Sequence, residues 1–131
     1  MLPLAAPDLL SRLRALGSPA PVVRSGLPSK AGECVTDNGM WIIDAPFAPI
    51  LLKKDLSDSQ AGDGSKDGKW EIEELGRTLG KMPGVVEIGL FYGCNGDEAK
   101  AQGSAALGAQ KPVAVYFGME DGEVQVHRAA K

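Results

Sequence analysis

The chain has 131 residues, 44% of them hydrophobic and 24% charged, with 14 Lys and Arg against 17 Asp and Glu for a net charge of -3. That balance matches an average soluble domain, excludes disorder along the whole chain, and makes one domain the expected count. A pI of about 5.1, with no concentrated run of basic residues, argues against a nucleic-acid partner.

Leu2 and Leu4 read as the end of a strand, so the sequence opens part-way through an element. Pro7 suits a first helical turn and Asp8 complements the positive end of the helix dipole. Leu9, Leu10, Leu13 and Leu16 then recur at helical spacing until Gly17 stops the pattern. Val22 and Val23 predict a short strand that Gly26 and Pro28 end. A second strand runs over Cys34–Thr36, and Asp37-Asn38-Gly39 is a tight turn, because Asn and Gly accept positive φ cheaply. Trp41, Ile42 and Ile43 form the returning strand, which Pro46 and Pro49 cut short.

The polar run 57–69, SDSQAGDGSKDGK, reads as a surface insertion with nothing to give a core. A second helix follows, with Trp70, Ile72, Leu75, Leu79 and Met82 as its apolar stripe and Glu71, Glu73 and Glu74 at its acidic start. Pro83-Gly84 ends it, and Val85, Val86, Ile88, Leu90 and Phe91 predict a strand. The stretch from Asn95 to Gln110 is either a loop or a short helix around Asp97–Gln102. Val113, Val115 and Phe117, a turn at Glu120-Asp121-Gly122, and Val124 and Val126 predict a terminal hairpin.

Few residues carry recognisable chemistry. Cys34 and Cys94 belong to no CxxC pair and have one histidine, His127, to share a metal with, so zinc is not expected. No basic cluster stands near either thiol in sequence, and His127 sits at a strand end as a solvated imidazole, so no nucleophile–base pair is visible. Residues 63–74 place oxygen donors at the first, third, fifth, ninth and twelfth places of a calcium loop, with glycine at the sixth. Trp70 at the eighth place, the lack of an entering helix and the lack of a second hand count against it. Gly62 to Lys69 fails as a phosphate loop, with one residue too many between its glycines and Trp70 where Ser or Thr is needed. Asp37 and Asp44 flank one turn and read as turn and strand-end residues rather than an acid–base pair. The apolar run Ala45–Leu52 carries two prolines and is far short of the roughly 20 residues a membrane span needs. With no secretory signal in view, a reducing, cytoplasmic setting is expected.

The segment VTDNGMWIID over 35–44 resembles the ribose-5-phosphate isomerase type A family. MPGVVEIGLF over 82–91, LPLA over 2–5 and the closing hairpin from Lys111-Pro112-Val113 to Asp121-Gly122 support the likeness, in the family's order. Met40 stands where the family usually carries Asn. The resemblance implies an α+β fold. Residues 1–93 would form a ferredoxin-like split βαβ small domain with a truncated first strand and a polar insertion at 57–69, and 94–131 a loop and terminal β-hairpin returning to a Rossmann-like catalytic domain. It also implies interconversion of D-ribose 5-phosphate and D-ribulose 5-phosphate by proton transfer through an enediolate, with no cofactor and no metal. The family's catalytic TDG-A-DE-like and KGGGG-like segments are missing here, so no catalytic residue is transferred. These residues alone are expected to be inactive, their partners being a sugar phosphate in the complete enzyme and further copies of the same chain. The alternative is a non-catalytic ferredoxin-like module that pairs with itself or with a full-length isomerase, through an edge at Leu2–Ala5 and the unsheeted hairpin.

Overall fold

The computed structural model describes residues 1–26, 31–56, 65–66, 68–103 and 110–129. Two compact units make up the molecule, 1–89 and 90–131. Both combine short helices with small antiparallel pairs of strands, an α+β composition.

In the first unit Met1 and Trp41 exchange both backbone bonds, at 2.8 and 3.0 Å, as an antiparallel pair does. On the other side Leu2 donates its N–H to the Gly84 carbonyl at 2.8 Å. Pro3 has no N–H to continue the ladder, and Pro3–Ala5 winds into a 3-10 turn. The expected free edge at Leu2–Ala5 is therefore corrected: Leu2 is already bonded and the next residues have left the strand. Helix α1, Ala6–Ala15, follows directly, with Asp8 in its first turn, Arg12 and Arg14 in its last, and Ala6, Leu9 and Leu13 buried. Gly17, at φ +98°, ends it.

Strand β1, Val22–Val23, pairs antiparallel with β2, Ile43–Asp44, with Val22 opposite Asp44 and Val23 opposite Ile43. The predicted strand at Cys34–Thr36 is reduced to one bridge, Val35 to Trp41, beside another between Ser25 and Glu33. Thr36 closes the intervening turn three times over. Its N–H donates to Met40 O, its carbonyl accepts from Gly39 N, and its hydroxyl accepts from Met40 N. Gly39 takes the φ of +73° that this turn requires.

A short strand pair lies at the end of the polar run 57–69. Strand β3, Ser65–Lys66, pairs with β4, Lys69–Trp70, with Ser65 opposite Trp70, while 57–64 and Asp67 lie outside the described residues. Trp70 is accordingly not part of the helical stripe. It ends β4, and its indole N–H reaches back 2.8 Å to the Leu16 carbonyl at the end of α1. Leu51 extends this corner, donating to Trp70 O and accepting from Ile72 N. Helix α2 covers Ile72–Gly80 and buries Leu75 and Gly76. Its N-cap is Glu71, 5% exposed, whose Oε2 accepts from Glu73 N and Glu74 N.

The strand predicted over Val85–Phe91 does not form in the described structure. Leu2 bonds Gly84, just before this segment, and the turn at Pro3 takes the residues after Leu2 out of strand conformation. Val86 and Phe91 are left exposed.

In the second unit Asn95 and Glu98 form a capping box. The Asn95 side chain accepts from Asp97 N and Glu98 N, and Glu98 Oε2 accepts from Asn95 N, starting helix α3, Gly96–Ala101. Strands β5, Ala114–Gly118, and β6, Val124–Arg128, make the expected hairpin with Tyr116 opposite Val126.

Candidate functional site

The turn that carries the family likeness leads into one well-defined polar arrangement. Arg24, just past β1, donates its backbone N–H to Ile42 O at 2.8 Å and accepts from Cys34 N at 2.7 Å. Held from both sides, it extends its guanidinium along the sheet to Asp44, with Nε to Oδ2 at 2.9 Å and Nη2 to Oδ1 at 2.5 Å. This is a two-point, charge-assisted pair, and both side chains stay about half exposed. Asp37 sits in the exposed turn beyond it. The structure thus gives Asp44 a cation for a partner and does not make it one of two paired carboxylates.

In the second unit Lys111 Nζ approaches Glu98 Oε1 at 2.7 Å, while Lys111 N donates to the Cys94 carbonyl at 3.1 Å. Cys34 is buried and Cys94 half-buried, both as free thiols. His127 is exposed and meets Phe117 edge-to-face at 5.1 Å. Among the described residues no group of three His, Cys, Asp or Glu could hold a metal ion. Of the calcium-loop residues, Glu71 caps α2 and Glu74 lies 3.6 Å from Arg77, while Asp63 and Asp67 fall outside the described residues. No helix of the described residues is long and apolar enough to cross a membrane.

The two ion pairs set an acid limit on stability. The Arg24 hydrogen bond holds the Asp44 carboxyl below its usual range, and the Lys111 hydrogen bond, then the Asn95 backbone amide, do the same for Glu98. A carboxylate lowered by folding adds stability above its unfolded pKa of about 4 and loses it as pH falls through the folded value. Asp44→Asn is therefore expected to narrow the gap between urea midpoints measured at neutral pH and at about pH 3, because it removes the Asp44 contribution. An unchanged gap would show that the Arg24 pair adds nothing.

The model of the family described as ribose 5-phosphate isomerase A (phosphoriboisomerase A) matches residues 1–103. The chain belongs to this family. It is 34% identical to the ribose-5-phosphate isomerase of Schizosaccharomyces pombe over 130 residues, 99% of this chain and 34% of that protein. The ribose-5-phosphate isomerase of Cryptococcus neoformans is 34% identical over 134 residues, 96% of this chain and 33% of that protein. The ribose-5-phosphate isomerase A of Methanosarcina acetivorans is 29% identical over 126 residues, 96% of this chain and 37% of that protein. The chain thus spans about a third of the length of the curated relatives it matches. No solved structure matches it.

The family match takes in the Arg24–Asp44 pair, α3 and its cap, and stops at residue 103, before the hairpin. Sequence reading named Asp44 but missed Arg24. The available signal was two opposite charges, each following a β-branched pair, Val22-Val23-Arg24 and Ile42-Ile43-Asp44, in segments far apart along the chain. The Asn95–Glu98 capping box was likewise present as Asn-x-x-Glu.

Proposed function

We propose that this chain is the accessory part of a ribose-5-phosphate isomerase, serving an aldose–ketose interconversion that the complete protein performs. In that reaction a carboxylate base takes the C2 proton of ring-opened ribose 5-phosphate, and the electrons form an enediolate across C1 and C2. The proton returns to C1, and a proton moves from O2 to O1, leaving the C2 ketone of ribulose 5-phosphate. Neither metal nor cofactor takes part, and the site is cytoplasmic. The base and the phosphate grip come from the portion of the relatives that lies outside the matched third.

What supports this reading is the family match over 1–103 together with coverage of nearly the whole chain by a named isomerase. The support for a ferredoxin-like small domain over 1–93 is that Met1–Leu2 bonds to Trp41 and Gly84, with β2 beside β1. Residues 94–131 then form the loop and hairpin that rejoin the catalytic domain, whose sheet covers the apolar faces of β5 and β6.

The test is conversion of ribose 5-phosphate to ribulose 5-phosphate by the 131-residue protein and by a chimera in which it replaces the matching third of the Schizosaccharomyces pombe isomerase. The isolated protein is expected to show no turnover and the chimera to be active. Turnover by the isolated protein would overturn the accessory assignment and make Asp37, Asp44 and Lys111 the residues to mutate. A folded but inactive chimera would count against the isomerase reading itself.

A further inference from the structure

Both asparagines of the chain, Asn38 and Asn95, precede a glycine. In an Asn-Gly pair the missing Cβ lets the glycine nitrogen reach the asparagine side chain, and the structure treats the two pairs differently. Asn95 is the N-cap of α3. Its carboxamide oxygen accepts from Asp97 N at 3.0 Å and from Glu98 N at 2.9 Å, and Glu98 Oε2 accepts from Asn95 N at 3.0 Å in return. The side chain can turn toward Gly96 N only by giving up both of its bonds, and with them the start of the helix. Asn38 is exposed, and among the described residues nothing bonds its carboxamide. The turn around it is closed without it, by the backbone and hydroxyl of Thr36. One bond stands in the way of the glycine nitrogen: Gly39 N–H donates to Thr36 O at 2.8 Å.

We propose that Asn38 is a site of spontaneous deamidation, and that Asn95 is protected from it by its cap. When the tip of the turn opens, Gly39 N loses its proton to hydroxide or water and attacks Asn38 Cγ. A C–N bond forms, the bond from Cγ to the side-chain nitrogen breaks, and ammonia leaves behind a five-membered succinimide. Water then adds at either ring carbonyl and opens the ring to aspartate or to isoaspartate, with nothing oxidised or reduced. Isoaspartate routes the backbone through the former side chain and puts one more atom between Thr36 and Gly39. Thr36 bonds Gly39 N and both backbone groups of Met40, so the lengthened turn cannot keep these bonds in register. The Val35–Trp41 bridge lies directly behind and loses its closure. The reaction is internal to two neighbouring residues, needs only water, and is independent of the isomerase reading.

Incubation of the 131-residue protein at mildly alkaline pH, followed by peptide mass spectrometry, reads the replacement of the side-chain NH2 by OH at each site. In the folded protein Asn38 is expected to convert at least about fivefold faster than Asn95, because one exposed bond opposes the reaction there and two bonds and a cap oppose it at Asn95. In urea the two Asn-Gly pairs should convert at similar rates, so that the difference belongs to the folded structure. Thr36→Val keeps the shape of the side chain and removes the hydroxyl bond to Met40 N. It is expected to speed conversion at Asn38 about two- to tenfold and to leave Asn95 unchanged. Asn38→Asp carries the new charge on a normal backbone and should keep the urea midpoint of the parent, while the isoaspartate form, separated by chromatography, should unfold at lower urea. Equal conversion at the two asparagines of the folded protein, or an Asn38 that stays intact there while the unfolded chain converts, overturns the proposal. An isoaspartate form as stable as Asn38→Asp overturns its effect on the turn.

Discussion

Gly84→Ala is expected to destabilise the first unit by about 2–5 kcal/mol, a large part of the stability of a small domain. Gly84 has φ +91°, and a Cβ built there would lie 2.2 Å from Ala5 Cβ and 3.7 Å from Leu9 Cδ1. Two costs add: about 1–2 kcal/mol for a left-handed alanine and about 1–3 kcal/mol for the overlap. Backbone carries the site on both sides, since Gly84 O accepts from Leu2 and Ala5 N bonds Leu2 O, so neither segment can yield cheaply. Urea denaturation followed by Trp41 and Trp70 fluorescence measures the loss. Gly39→Ala, with φ +73° but open space around it, should cost only the backbone share of about 1–2 kcal/mol. Ala5→Gly in the Gly84→Ala background removes the opposing methyl and should recover most of the overlap cost. Equal losses at Gly39 and Gly84 would mean that the close approach is not a constraint.

Leu75→Ala is the second large effect, with about 2–5 kcal/mol expected from the same measurement. Leu75 is 1% exposed in the middle of α2, and the helix has only half-buried Ile72 and Leu79 to share its apolar side. Truncation leaves a cavity that α2 cannot close by moving, because its start is pinned. Glu71 caps it, Ile72 N bonds Leu51 O, and Trp70 is tied to Leu16. Leu4→Ala, at a residue 99% exposed, should stay within about 0.5 kcal/mol of the parent.

The features legible in the sequence were those set by near neighbours along it. Leucine spacing placed α1, Asn38-Gly39 placed its turn, and alternation around Glu120-Asp121-Gly122 placed the hairpin. What the sequence hid depended on partners far away in numbering. Val85–Phe91 has the composition of a strand but forms none in the described structure, where Pro3 takes the residues after Leu2 into a 3-10 turn. Trp70 fits a helical stripe by spacing, yet its indole N–H is satisfied by a carbonyl at the end of α1, which draws it into β4. Asp44 was visible as a strand-end carboxylate. Its role could not be read until β1 and β2 were in register and Arg24 arrived beside it.

The double tie of Lys111 to Cys94 O and Glu98 has a consequence for how the family can change length. It holds the two ends of the intervening segment together whatever lies between them. Where two ends are already fixed, the entropic cost of closing what lies between them grows only logarithmically with its length, by about 0.6 kcal/mol for each doubling. Between Thr36 and Met40, by contrast, a single inserted residue breaks three hydrogen bonds at once. Insertions and deletions among relatives should therefore collect between Cys94 and Lys111 and spare the turn at Asp37-Asn38-Gly39.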